Sequence, residues 1–65
     1  SNAKVKHKRK NGALVELPEM GLFAMIPQGR LNREHKNLKS GDNILVTVYE
    51  VDPVMGKIFV EPLNE

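Results

Sequence analysis

Apolar and polar residues alternate along most of this chain, with a period of two rather than the period of about 3.6 expected of a helix. Such alternation predicts strands, in which successive side chains point to opposite faces. Several of the apolar residues are β-branched, which suits a pleated surface. The residues predicted to point inward are Ala13, Val15, Leu17, Leu22, Ala24, Ile26, Ile44, Val46, Val48, Ile58 and Val60.

Turn residues separate the alternating segments. Asn11-Gly12 is a signal for a tight hairpin, because both residues tolerate a positive φ. Short turns are predicted at 18–21 and 40–42, and a longer hairpin loop at 52–56. Only residues 28–39 break the alternation. This stretch is polar, lacks an apolar stripe, and indicates a connecting loop with one helical turn.

The opening segment, residues 4–10, contains five cations and one histidine. Because it directly precedes the hairpin turn, it is predicted to be a first strand paired with 12–17 rather than a solvated tail. Val5 would then point inward, and the opposite face would present Lys6, Lys8 and Lys10. Residues 1–3 have the sequence of a remnant left by tag cleavage, so we leave them out of the fold and assign a single domain to residues 4–65.

Five short strands in so small a sheet must curl and close to hide their edges. The sequence therefore predicts an all-β domain, a closed antiparallel barrel of five strands. A chain of this length buries only about 60% of the surface that its unfolded form exposes, which predicts a core of marginal stability.

The composition excludes several classes of function. There is no cysteine, and the two histidines lie in no metal-binding motif, so we expect no metal and no cofactor. No apolar run approaches the roughly 18 residues of a membrane span, and no signal peptide is visible, which predicts a soluble cytoplasmic domain with no membrane partner. Neither serine, Ser1 or Ser40, has a histidine-and-acid setting, so we expect no catalytic residue and no enzyme.

The net charge of +2 is modest, but the cations are clustered. Half of the ten basic residues lie in 4–10, and a second group comprises Arg30, Arg33, Lys36 and Lys39. A basic stripe suits a polyanionic partner, and such a run can equally well serve only to solvate a surface.

The ordered segments "NGALVELPEMGLFAMIP" and "LKSGDNILVTVYEVDPVMGKIFVEPL" resemble the S1 RNA-binding domain family, whose members are five-stranded OB-fold barrels. The resemblance covers almost all of residues 4–65. It implies a module that binds single-stranded RNA within a larger protein of translation or RNA metabolism, with the ribosome or another protein as a further partner. The matching stretches are 12–17, 24–27, 38–42, 51–52 and 56–58.

The family's RNA-contacting positions transfer to this chain only in part. Its two hairpin aromatics fall on Asn11 and Leu14, and its third-strand histidine falls on Pro27. Its acidic residue and following cation are matched by Asp52 and Lys57. The resemblance therefore implies a site that has lost its usual stacking rings.

Without those rings, we expect electrostatics to contribute more of the RNA affinity. Each base stacked on an aromatic ring contributes about 1–3 kcal/mol, and Phe23 and Phe59 could replace the missing rings or instead pack under a loop. The expected phosphate contacts come from Lys6, Lys8, Lys10, Arg30 and Lys57. Three or four such contacts predict a loss of roughly twenty- to fiftyfold in affinity between about 50 and 200 mM salt.

Three further interpretations stay open. Asp52 and Lys57 could form an ion pair across their hairpin, or Asp52 could initiate the turn. Tyr49, the only tyrosine, is expected to pack in the core. The alternative function is protein docking through an outward apolar patch formed by Leu14, Phe23, Met25 and Phe59.

Overall fold

A computed structural model describes residues 1–31 and 37–63. Within these ranges it contains five strands and one short 3₁₀ helix at Gln28–Arg30, as the alternation and the single helical turn predicted. The strands are β1 (Asn2–Arg9), β2 (Gly12–Leu17), β3 (Leu22–Pro27), β4 (Asn43–Asp52) and β5 (Lys57–Pro62). The prediction of an all-β chain with five strands is confirmed.

The strands pair in the order β1-β2-β3-β5-β4, and β1 also pairs with β4. Four of these pairings are antiparallel, but β3 and β5 are parallel, with Met25 opposite Phe59. The expectation of a purely antiparallel arrangement is therefore wrong. The reason is geometric. Each of the five strands pairs with two others, and with an odd number of strands the directions cannot alternate through all five pairings.

The core lies between the inward faces of the strands. Eight of the residues predicted to point inward, Val5 among them, are buried, and Ile44 and Ile58 are half-buried against them. Leu22 and Val48 are exposed instead, because Leu22 directly follows a turn and Val48 directly precedes an irregularity in β4. The complete buried set is Ala3, Val5, Ala13, Val15, Leu17, Ala24, Ile26, Val46 and Val60.

The connecting loop also contributes to the core, although its sequence shows no apolar stripe. Leu31 and Leu38, on either side of the stretch 32–36, are half-buried and pack against the buried residues. Isolated leucines of this kind have no periodicity for a sequence pattern to detect.

Residues 1–3, which the sequence analysis leaves out of the fold, extend β1 along β4. The N-terminal ammonium group of Ser1 donates to Val46 O at 2.8 Å, and Val46 N–H donates to Ser1 O at 2.8 Å. Asn2 pairs with Leu45, and Ala3 is only 1% exposed. Whatever their origin, these residues supply one end of the β1–β4 pairing.

The first hairpin forms where it was predicted, but Gly12 is the first residue of β2 and not part of the turn. Arg9 pairs with Gly12, so the loop is Lys10-Asn11, and no described residue other than glycine has a positive φ. Gly12 itself has φ +144°, and a Cβ at this position would lie 2.1 Å from Ile26 O. Glycine is required here because β2 and β3 approach each other closely, not because of the turn.

Candidate nucleic-acid interface

The basic segment of β1 is interrupted by a β-bulge at Lys6. Val5 pairs with Val15, but the next residue of β2, Leu14, pairs with His7, so Lys6 is the extra residue. The Ser40 hydroxyl donates a 2.8 Å hydrogen bond to Lys6 O and holds the bulge against the 40–42 turn.

The bulge separates the three lysines that alternation places on one face. After the bulge, Lys8 pairs with the inward-facing Ala13. Lys6 lies on the outer face beside Glu16, and Lys10 lies in the loop between β1 and β2. The prediction of one shared lysine face is therefore wrong, because a one-residue insertion in a strand reverses the alternation that follows it.

Two of the cations expected to contact phosphate are paired with carboxylates. Lys6 Nζ is 3.5 Å from Glu16 Oε1, and Arg30 Nη1 is 3.1 Å from Glu61 Oε2. Each pair is only partly exposed and has no net charge. Lys10 lies in the loop between β1 and β2, and Lys57 is the first residue of β5. Both are exposed, and they lie at opposite ends of the sheet.

A second bulge, in β4, lies at Tyr49, whose side chain is half-buried on the outer face instead of in the core. Val48 pairs with Val60, and the next residue of β5 towards the hairpin, Phe59, pairs with Glu50, so Tyr49 is the extra residue. Its ring is 6.5 Å from that of Phe59, with a tilt of 53°. The expectation that Tyr49 packs in the core is wrong. It followed from the family resemblance, whereas alternation along β4 already places Tyr49 on the face opposite the buried Val46.

Arg30 completes a group around Tyr49. Its Cζ lies 4.4 Å from the centre of the Tyr49 ring, while the same guanidinium donates to Glu61 at 3.1 Å. We call Arg30, Tyr49, Phe59 and Glu61 the arginine–aromatic cluster. From the sequence, Arg30 was expected only to contact phosphate, and Tyr49 was not expected in the site. The four residues come from β4, β5 and the 3₁₀ helix, and no pattern within one segment indicates that these elements meet.

The cluster continues across the outer face of the sheet. Phe59 pairs with Met25 of β3, and Met25 pairs with Leu14 of β2. Phe23, two residues before Met25 on β3, is 56% exposed and lies opposite Glu16 on β2. Of the four residues expected to form an outward apolar patch, Leu14, Met25 and Phe59 are thus half-buried and only Phe23 is exposed.

Asp52 and Lys57, the two residues that match the RNA-contacting pattern of the S1 family, lie at the β4–β5 hairpin. Asp52 and Lys57 are cross-strand partners. Asp52 Oδ1 accepts hydrogen bonds of 3.1 Å from the N–H groups of Val54 and Met55, which confirms its role in initiating the turn. In the part of the chain that the structure describes, Asp52 forms no ion pair with Lys57.

The other RNA-contacting positions that the resemblance implies lie towards the end of β3 that is far from this hairpin. Pro27 pairs with Gly12, and Gln28 N–H donates to Asn11 O at 3.1 Å. Asn11 and Pro27 are therefore brought together, with Leu14 nearer the middle of the face. Asp52 and Lys57 belong to the end at which β5 begins, so the five positions do not form one compact group.

Exposed apolar side chains are grouped at or beside two turns. The β2–β3 turn presents Met20 and Leu22, and the β4–β5 hairpin presents Val51, Val54 and Met55, of which Val54 is 90% exposed. Because β3 and β5 are parallel, the turns that precede them lie at the same end of the sheet. We call these five residues the apolar end.

Other expectations can be compared only with the described ranges. Arg33, Lys36 and His35 lie outside them. Among residues 1–31 and 37–63, no three histidine, aspartate or glutamate side chains are grouped so as to hold a metal ion. The same ranges contain no helix that is long and apolar enough to cross a bilayer.

No protein-family model matches this chain, and no curated protein matches it.

Proposed function

We propose that this chain is a non-catalytic module that binds single-stranded RNA weakly, and with little sequence preference, through the outer face of β3, β5 and β4. The observation on which the proposal depends is the arginine–aromatic cluster, which is continuous with Met25 and Leu14 and has exposed cations beyond each end. Aromatic side chains on which bases stack, flanked by cations that follow the backbone, are typical of proteins that bind single strands.

We further propose that the sheet closes as an OB-fold barrel of the S1 RNA-binding type, which the chain resembles. In support, the strand order β1-β2-β3-β5-β4 returns to β1, and its one parallel pair is β3–β5. OB folds bind oligonucleotides on the face of strands 2 and 3 and with the loops between strands 1 and 2 and between strands 4 and 5. Lys10 lies in the first of these loops, and Lys57 directly follows the second.

The ion pairs lower the expected salt dependence of binding. With Lys6 and Arg30 held by Glu16 and Glu61, and Lys8 placed by the bulge opposite the inward-facing Ala13, we expect about two phosphate contacts, from Lys10 and Lys57, rather than three or four. For single strands this gives a log–log slope near −1.4, and so a loss of about sevenfold in affinity between about 50 and 200 mM salt.

Fluorescence anisotropy with a labelled oligouridylate at those two salt concentrations tests the proposal. Measurable binding at the lower concentration that weakens about sevenfold at the higher one supports it. Absence of binding at the lower concentration would show that the outer face is not an RNA-binding surface. A duplex RNA of the same length is the control, since its bases cannot stack on the protein.

Replacing Glu16 with glutamine should strengthen RNA binding. The substitution keeps the size of the side chain but releases Lys6 from its 3.5 Å partner, so one more cation becomes available. We expect tighter binding at low salt and a slope steeper by about 0.7. Glu19→Gln, an equal change of charge at an exposed turn residue, is the matched control. Equal effects of the two substitutions would mean that only net charge matters.

The apolar end favours a second candidate function, docking to another protein. Exposed apolar residues from two turns meet there, and RNA binding does not require them. If this end is the functional surface, Val54→Asp should abolish retention of a partner from nuclease-treated lysate while the chain shows no RNA affinity. Unchanged RNA binding by Val54→Asp would leave the outer face as the active surface.

A further inference from the structure

Arg30 is held in place by two different contacts. Its guanidinium donates to Glu61 at 3.1 Å and lies over the Tyr49 ring, with Cζ 4.4 Å from the ring centre. A free arginine side chain has about 2 kcal/mol of rotamer entropy, and part of this is lost whenever a ligand immobilises it. Because these contacts already order Arg30, a ligand that uses its planar group encounters a preorganised surface.

Part of this planar group is available to a ligand. The guanidinium carbon lies over the Tyr49 ring, and Phe59 is next to Tyr49 with its ring centre 6.5 Å away. The Arg30 side chain nevertheless remains 53% exposed. The available surface is therefore a delocalised cation backed by an aromatic ring.

The ion pair between Arg30 and Glu61 makes the guanidinium a poor partner for phosphate. Glu61 already contacts the guanidinium, and an approaching phosphate would have to displace this carboxylate or accept its repulsion. An uncharged planar ligand meets neither cost. Nucleobases stack on arginine planes as well as on aromatic rings in single-strand recognition.

We propose that Arg30, backed by Tyr49 and Phe59, is the stacking site for one unpaired nucleobase, with Glu61 as the positioning residue that holds the guanidinium in place. This inference rests on the proposed RNA-binding function and changes the role of Arg30 within it. Arg30 contributes its plane rather than a phosphate contact, and it replaces a ring that the first hairpin lacks.

The decisive substitution is Arg30→Lys, because lysine retains the charge but has no planar group. We expect it to weaken oligouridylate binding about five- to 150-fold, which is the loss of one stacked base, with the salt slope unchanged. Arg9→Lys is the matched control, the same exchange at an exposed position of β1, and should bind as the unmodified chain does. Thermal unfolding of both variants establishes that they are folded.

Tyr49 provides an independent readout. It is the only tyrosine, and the chain has no tryptophan, so isotope-labelled tyrosine gives one set of ring resonances in NMR spectra. A base stacked on Arg30 should shift these resonances on RNA addition, and Arg30→Lys should reduce the shift. RNA binding with an unmoved Tyr49 ring, or equal affinities for Arg30→Lys and Arg9→Lys, overturns the stacking site alone. Absence of RNA binding by the unmodified chain overturns the proposed function and the stacking site together.

Discussion

Ala3→Asp is expected to unfold most of the protein at room temperature. Ala3 is 1% exposed within the core, and no buried polar side chain is described near it that could pair with a carboxylate. An unpaired buried carboxylate costs about 4 kcal/mol or more. A core in a chain this small rarely supplies more than about 3–5 kcal/mol in total. Circular dichroism during urea titration measures the loss.

Asn2→Asp is the matched control for this substitution. It introduces the same carboxylate one residue earlier in β1, at an exposed position opposite the exposed Leu45. We expect a change within about 0.5 kcal/mol, as for ordinary surface substitutions. If the two variants unfold at the same urea concentration, residues 1–3 do not belong to the folded sheet, and the pairing of Ser1 with Val46 does not persist in solution.

Gly12→Ala should give the second largest loss of stability, about 2–4 kcal/mol. The added methyl group would lie 2.1 Å from Ile26 O, and this contact is to backbone that cannot move without separating β2 from β3. The φ of +144° adds strain for any residue with a Cβ. The midpoint of thermal or urea unfolding measures the effect.

Gly29→Ala separates this close contact from the general effect of adding a methyl group. Gly29 lies in the 3₁₀ helix, and a Cβ there would meet nothing within 4 Å. We expect stability to be unchanged or to rise by up to about 1 kcal/mol, because alanine restricts the unfolded chain. Comparable losses from Gly12→Ala and Gly29→Ala would contradict the close approach of β2 and β3.

The buried residues were predictable because they obey a local rule. Side chains alternate in a strand, so Val15 and Ile26 could be assigned to the interior from their neighbours alone. The rule fails at Lys6 and Tyr49, where one extra residue reverses it. A bulge is defined by the partner strand, and no feature of the single segment marks its position.

The candidate site was predictable in composition but not in arrangement. The sequence indicates a basic, ring-poor surface, and Phe59 is correctly singled out as a residue of the outer face. Arg30 was expected to contact phosphate, and Tyr49 to fill the core. Their contact with each other joins residues 19 positions apart, and it depends on how the chain after β3 returns towards β4.

The amino-acid sequence alone was enough to predict an all-β chain, its five strands, most of its turns and most of its core, because these follow from interactions between near neighbours. Only the folded chain shows which cations are neutralised by carboxylates, that Ala3 is part of the core, and that Arg30 lies over Tyr49. These depend on strand register and on the path of the connecting loop. Both are set by contacts between distant segments, which leave no pattern within any one of them.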